Sequence, residues 1–250
     1  LLSIIIVSAF DHHRLTLTLK SIESCGEEIE LIVVYPADDN DTKILLDNFK
    51  KSHNFRVKEI LDHSEGIYRA MNIGLTNFES EYCLFLNSGD LLLSSQNLMN
   101  VLSILKTKRP GWAIALSKFE WRSTPENNDS NLEAFLKQKG GFVSHQSVIA
   151  SRNLIDQVGG FDLRYRVASD TNLIIALSEI QKPEFLSGYL TFVQTPEFSS
   201  KNHRKSRIEL LQIYSRLKKN KIKWPGLINL LFRECQFFYR KIFLLSPYRT

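Results

Sequence analysis

Apolar positions along the first 110 residues switch repeatedly between two periods. Residues 3–8 form a continuous apolar run, long enough for a buried strand and short for a helix. Over 13–25, Leu15, Leu19 and Ile22 recur at helical spacing, and 30–35 is a second, β-branched run closed by Pro36. Leu45, Leu46 and Phe49 repeat the helical spacing over 41–51, 55–60 alternates as a strand, 65–77 is helical, and 81–87 is the next strand. This βαβαβαβ order predicts a mainly parallel sheet covered on both faces. The pattern then changes. A helix is expected over 94–106, a strand-like stretch over 112–121, and a polar loop over 122–130. Residues 140–150 lead into a helix start at Ser151, and Gly159-Gly160-Phe161-Asp162 makes a sharp turn. Residues 169–179 read as a helix capped by Ser169, and 183–194 as an edge strand. From 203 onward the chain is helical and basic, broken at Trp224-Pro225-Gly226.

Composition narrows the class. A chain of 250 residues, 43% apolar, suits one large α/β domain or a domain with an appended tail. Cys25, Cys83 and Cys235 lie far apart with no CxxC spacing, which argues against a disulfide framework or zinc knuckle and for a reducing compartment. The opening LLSIIIVSAF lacks a basic n-region and reads as a buried strand rather than a signal peptide, and the absent initiator Met suggests a trimmed chain. No run of 18 apolar residues is present, so no membrane-spanning helix is expected. Charge is uneven: residues 201–250 carry 13 Lys and Arg against 2 Asp and Glu, whereas the rest carries 19 against 25. A mildly acidic body with a strongly basic tail suggests an anionic surface as partner.

The densest chemistry lies in GIYRAMNIGLTNFESEYCLFLNSGD, residues 66–90. Its apolar strand stops at Asn87-Ser88-Gly89-Asp90, which are all turn formers. In an open α/β sheet, ligands collect beyond the carboxyl ends of strands, so Asp90 stands either in a turn or where a bound cation or phosphate would sit.

Four features in this order resemble the bacterial family 2 glycosyltransferases of the GT-A fold: the opening strand SIIIVSAF, GIYRAMNIGL, the strand end LNSGD, and HQSV…GGFDLRYRVASD. The similarity is greatest to enzymes building colanic acid, O-antigen and other surface polysaccharides, and it spans about residues 1–200. It implies a GT-A type (Rossmann-like) domain, with a nucleotide-binding half over about 1–110, an acceptor half over about 111–200, and a basic helical extension over 201–250. The implied reaction is inverting transfer of a hexose or N-acetylhexosamine from a UDP-sugar or GDP-sugar to a hydroxyl of a polyprenyl-diphosphate-linked or oligosaccharide acceptor. Asp170 is the implied base and Asp90 the implied ligand of Mn²⁺ or Mg²⁺, hard cations that need only one or two carboxylates besides phosphates and waters. His203 is a second metal candidate. Ala9, Phe10, Asp11, Asp38, Glu65, Arg69, Asn72, Asn87, Ser88 and Gly89 are implied for the donor, and His145, Gln146 and Asp162 for the acceptor or donor cleft.

The chain also departs from the family pattern. Tyr35-Pro36, Ser64, Arg69, Asn87 and Gly89 occupy places where many relatives carry acids. Arg69 suits a phosphate instead, because guanidinium is a bidentate partner. The lost acids motivate an alternative, a degenerate sugar-nucleotide-binding or scaffold protein. A sugar nucleotidyltransferase is a second, although SAFDHHR lacks the Gly-rich basic phosphate loop it would need. Residues 220–250 interleave cations with Trp224, Phe232, Phe237, Phe238 and Phe243, a pattern for an amphipathic helix on an anionic membrane. That places the protein in the cytoplasm, peripheral on the inner face of the cell membrane. No recognition motif points to nucleic acid.

Overall fold

The computed structural model describes residues 1–26, 28–53, 56–63, 66–120, 143–194 and 202–216. Expectations for Glu65, the 122–130 loop, the break at 224–226 and the membrane-facing stretch 220–250 lie outside the described residues.

The alternation predicted for the first half is present: β1 (Leu2–Val7), α1 (His12–Ile22), β2 (Ile29–Pro36), α2 (Asn40–Ser52), β3 (Arg56–Asp62), α3 (Ile67–Asn77) and β4 (Tyr82–Asn87). The second half adds β5 (Leu91–Leu92), α4 (Ser95–Lys108), β6 (Trp112–Phe119), a 3₁₀ turn at His145–Ser147, β7 (Val148–Ser151), α5 (Arg152–Val158), α6 (Ser169–Ile180), β8 (Glu184–Val193) and α7 (His203–Arg216). One eight-stranded sheet runs β3-β2-β1-β4-β7-β6-β8-β5. Strands β3, β2, β1 and β4 are mutually parallel, β6 pairs parallel with β8, and β7 is antiparallel to both β4 and β6.

Burial on both faces explains why these strands read as unbroken apolar runs. Along β1, Ile4 and Ile6 join a cluster with Leu15, Leu19, Leu46 and Leu98, the side covered by α1, α2 and α4. Ile5 and Val7 join the opposite cluster with Met71, Ile155, Leu173 and Ile213, the side covered by α3, α5, α6 and α7. Gly74 lets α3 approach β1, since a Cβ there would overlap the Ile5 Cγ2 methyl.

Two expectations are corrected. Strand β8 is interior, flanked by β6 and the two-residue β5; hairpin spacing could not reveal β5, which is too short to carry a period. Ser169 does not cap α6: the N-cap is Ala168, which offers no side-chain bond, and the Ser169 hydroxyl donates to the Asp162 carbonyl at 2.9 Å. The first helix of the basic extension, α7, packs on the sheet: its Ile213 is 2% exposed within the core.

Candidate active site

Strand order decides where the site lies. After β1 the chain turns through α1 to β2 on one side, whereas β4 lies on the other side of β1. That reversal is a topological switch point, and ligands of open α/β sheets bind in the crevice it leaves. Val7 and Asn87 stand opposite each other at its lip.

The loop after β1 is stitched to its neighbours. Phe10 has φ +53° and is 64% exposed. Its N–H donates to Asp39 Oδ2 at 2.7 Å, and the same carboxylate caps α2 through the Thr42 N–H and hydroxyl. Asp11 caps α1 by accepting from the Arg14 N–H, and its carbonyl accepts from the Ser88 hydroxyl at 3.2 Å. Ala9 is exposed in this loop. Asp38, expected at the donor, is exposed, and the buried Asp39 beside it shapes the loop. Its signal in the sequence was the N-cap spacing Asp39-x-x-Thr42.

The turn after β4 is equally fixed. Gly89 has φ +98°, and its N–H donates to the Thr18 hydroxyl at 2.8 Å. A Cβ on Gly89 would lie 2.7 Å from Arg14 Nε and 2.9 Å from Gln194 Oε1, so an acid there would have to displace those side chains and adopt a strained positive φ. Asp90 is 4% exposed. Its Oδ2 accepts from Gln146 Nε2 at 2.8 Å and the Asn87 N–H at 3.2 Å, and its Oδ1 from the Gln194 N–H at 3.2 Å. Burial pushes its carboxyl above the ordinary value against the pull of the Gln146 hydrogen bond. A carboxylate has about four acceptor positions, so one remains open.

Two buried side-chain oxygens at this lip have no partner among the described residues, Ser8 Oγ and Asn87 Oδ1. Asn87 Nδ2 lies 3.3 Å from His145 Nε2, and His145 Nδ1 lies 3.3 Å from Asp170 Oδ2. A carboxylate only accepts, so His145 donates from Nδ1 and presents the Nε2 lone pair to the Asn87 amide nitrogen, which turns the Asn87 oxygen away from the imidazole. Buried polar atoms without partners are rare and call for a ligand or water.

Asp170 lies in the first turn of α6, with its side chain 23% exposed beside the 13% exposed His145. Its Oδ1 accepts from the Thr171 N–H at 2.7 Å and the Tyr68 hydroxyl at 3.1 Å. Burial acts to raise its pKa, but the hydrogen bond from His145, then the Thr171 and Tyr68 donors, outweigh it and hold the carboxyl below its ordinary range. One acceptor position on Asp170 also remains open.

Other expected residues do different work. The Asn72 amide both donates to the Phe161 carbonyl and accepts from its N–H, each at 2.8 Å, pinning α3 to the Gly160–Phe161 turn. One amide hydrogen and one oxygen lone pair of Asn72 are left over from this pair of bonds. Asp162 is held in a bidentate pair by Arg164, which lowers its carboxyl, and so orders its own loop. Arg69 is exposed on the first turn of α3, a helix whose N-cap, Gly66, supplies no side-chain bond. The side chain of His203, first residue of α7, lies outside the described set. Tyr68 and Gln194 were missed. Tyr68 sat unread inside GIYRAMN, and Gln194 carries no local signal, because its role depends on β8 ending beside β4's turn.

The residues fit a hard cation in kind: one carboxylate with an open position and one orphaned amide oxygen, both oxygen ligands. No group of three or more His, Cys, Asp or Glu that could hold a metal occurs among the described residues. Among them, too, no helix is long and apolar enough to cross a membrane.

No family model matches the chain. Over 177 residues it is 26% identical to a PGL/p-HBAD biosynthesis glycosyltransferase of Mycobacterium bovis and its Mycobacterium tuberculosis counterpart, covering 68% of this chain and 65% of those relatives. Its fold is similar to that of Staphylococcus aureus TarS, with TM-score 0.70 and 16% identity over 99% of this chain and 46% of that one. The structure of TarS residues 1–349 with UDP-GlcNAc matches with TM-score 0.70 at 16% identity, over 96% of this chain and 72% of that one. A mannosyltransferase from Pyrobaculum calidifontis in complex with GDP-Man and Mn²⁺ matches with TM-score 0.68 at 15% identity, over 93% of this chain and 68% of that one. The chain thus resembles GT-A glycosyltransferases of the family 2 type, and its α/β fold is of their kind.

Proposed function

We propose that this chain is an inverting glycosyltransferase, transferring a hexose or N-acetylhexosamine from a UDP-sugar or GDP-sugar to a hydroxyl of a lipid-linked or oligosaccharide acceptor. One observation carries the reading. At the switch point between β1 and β4, two buried oxygens, Ser8 Oγ and Asn87 Oδ1, have no partner among the described residues, and the His145 bridge joins that lip to a carboxylate with an acceptor position to spare.

In this reading the exposed Phe10 ring offers a face for the nucleobase, and Ser8 and Asn87 supply polar contacts to the donor. Arg69 reaches a phosphate, which a guanidinium binds bidentately. Asp170, kept ionised by His145, takes the proton from the acceptor hydroxyl. The acceptor oxygen then bonds to the anomeric carbon as the carbon–oxygen bond to the nucleoside diphosphate breaks, with the electron pair leaving on the diphosphate. Asp90 and the Asn87 oxygen would hold Mn²⁺ or Mg²⁺, which when bound neutralises the departing diphosphate. The neutral Asn87 in place of an acid makes that hold weaker per ligand than a two-carboxylate set.

A thermal-shift panel of UDP- and GDP-sugars with Mn²⁺ or Mg²⁺, followed by detection of released nucleoside diphosphate, tests the reading. One donor should raise the melting temperature and be turned over. If none binds with either cation, the transferase reading is lost; binding without turnover would leave a degenerate sugar-nucleotide-binding protein. The reading extends to a membrane-bound acceptor through residues 220–250. Liposomes containing anionic lipid should float the full chain and not a chain ending at 219; equal flotation removes that part.

A further inference from the structure

Helix α6 starts without a cap of its own. Its N-cap is Ala168, with no side chain able to accept a hydrogen bond, although the first N–H groups of a helix need partners from outside it. The strip that leads into it, residues 166–168, is held instead by a side chain of another element. Glu209, on α7, is 5% exposed. Its Oε1 accepts from the Arg166 N–H at 3.0 Å, and its Oε2 from the Val167 N–H at 2.8 Å and the Ala168 N–H at 3.0 Å. Three successive peptide N–H groups thus converge on one carboxylate, the arrangement that backbone uses to hold an anion. A second anchor lies one strip residue away, where Arg216 Nη1 donates to the Tyr165 hydroxyl at 2.7 Å.

The strip so held leads straight into the base. Asp170 follows Ala168 by two residues. The Val167 carbonyl accepts from the Tyr68 hydroxyl at 2.8 Å, while the same hydroxyl lies 3.1 Å from Asp170 Oδ1. A phenol has one proton, so Tyr68 divides it between the Val167 carbonyl and Asp170, and the position of Val167 sets the division. Glu209 holds that position through the Val167 N–H.

We propose that Glu209 is a positioning residue: by gathering the amides of residues 166–168, it fixes the start of α6 and the Tyr68 bond, and so sets the aim of the Asp170 carboxylate. The proposal rests on Asp170 being the base. It assigns the first helix of the basic tail a part in the chemistry, from a residue 39 positions downstream of Asp170.

The test compares Glu209→Gln, Asp170→Asn and the double variant, reading turnover of the accepted nucleotide sugar as released nucleoside diphosphate, with donor binding measured by calorimetry. Gln keeps the size but turns an NH₂ toward the strip's N–H donors. Glu209→Gln is expected to lower kcat by roughly 10–100-fold, the scale of an ångström-level misplacement, with donor affinity unchanged. In the double variant no further loss beyond Asp170→Asn is expected, since Glu209 acts through Asp170. A kcat loss that only tracks the folded fraction, or that multiplies onto Asp170→Asn, overturns the proposal. Should Glu209→Gln not fold, Arg216→Gln loosens the same strip from its second anchor, and an unchanged kcat there overturns it equally. An inactive Asp170→Asn beside a normal Glu209→Gln rejects Glu209 alone; a fully active Asp170→Asn rejects the base and Glu209 together.

Discussion

Replacing Asp170 by Asn is expected to lower transfer by about 10²–10⁴-fold, the range over which a positioned general base contributes, while nucleotide-sugar affinity stays unchanged. The Asn carbonyl can still accept from the Thr171 N–H and the Tyr68 hydroxyl, so the fold tolerates the change. What is lost is the acceptor at Oδ2. An amide NH₂ there faces His145 Nδ1, forces the other imidazole tautomer, and sends an N–H toward Asn87. Both the proton acceptor and the orientation of the Asn87 oxygen go together. The pH profile adds a second check. Because the Asp170 carboxyl is held below its ordinary value, it is ionised throughout the neutral range, and its ionisation imposes no loss of rate above about pH 4. A depressed carboxyl stabilises the fold fully above its unfolded value of about 4 and loses that contribution as pH falls through the lower folded value. Melting curves taken below pH 4 should therefore fall more steeply for the wild type than for Asp170→Asn. Full transferase activity in Asp170→Asn would sink the assignment.

Asp90→Asn is expected to produce the second-largest effect, in two separable parts. Three buried donors converge on this carboxylate: Gln146 Nε2 and the N–H groups of Asn87 and Gln194. An amide keeps one acceptor oxygen and sets an NH₂ against a donor. That costs about 1–3 kcal/mol, on the order of 2–10 °C in melting temperature for a chain of this size. If the open position of Asp90 serves a cation, transfer per folded molecule also drops, by about 10²–10³-fold as for loss of one transition-state electrostatic contact, and the Mn²⁺ or Mg²⁺ concentration giving half-maximal rate rises. Activity that falls only with the folded fraction, at unchanged cation dependence, makes Asp90 a pin between β4, the 3₁₀ turn and the end of β8, and nothing more.

Much of this was legible in the chain because local periods and punctuation carried it. The apolar runs at 3–8, 30–35 and 81–87 announced strands buried on both faces, and the helices between them fell within a few residues of where Leu15, Leu46 and Met71 placed them. Ser94 and Ser151 cap the helices they precede. The second half was harder to read, since its sheet is built from long-range pairings: β7 sits between β4 and β6, and β5 consists of two residues. At the site, Asp170 and His145 were readable through resemblance, but their mutual bond is not, because 25 residues separate them. Asn72, read as a donor contact, also clasps Phe161 through its amide. Glu209 looked like one acid lost in a basic tail. Only the folded chain shows that it answers three amides left open elsewhere.

The antiparallel run of β7 has a consequence for how such a protein can diversify. Because β7 opposes β4 and β6, it begins at the edge where those two strands end. Glu120, just beyond β6, and Val143, just ahead of the 3₁₀ turn, are therefore both rooted at that edge. Closure entropy grows only slowly with the length of chain between two such roots, so a change in length between Glu120 and Val143 is tolerated at the same edge where the candidate site lies.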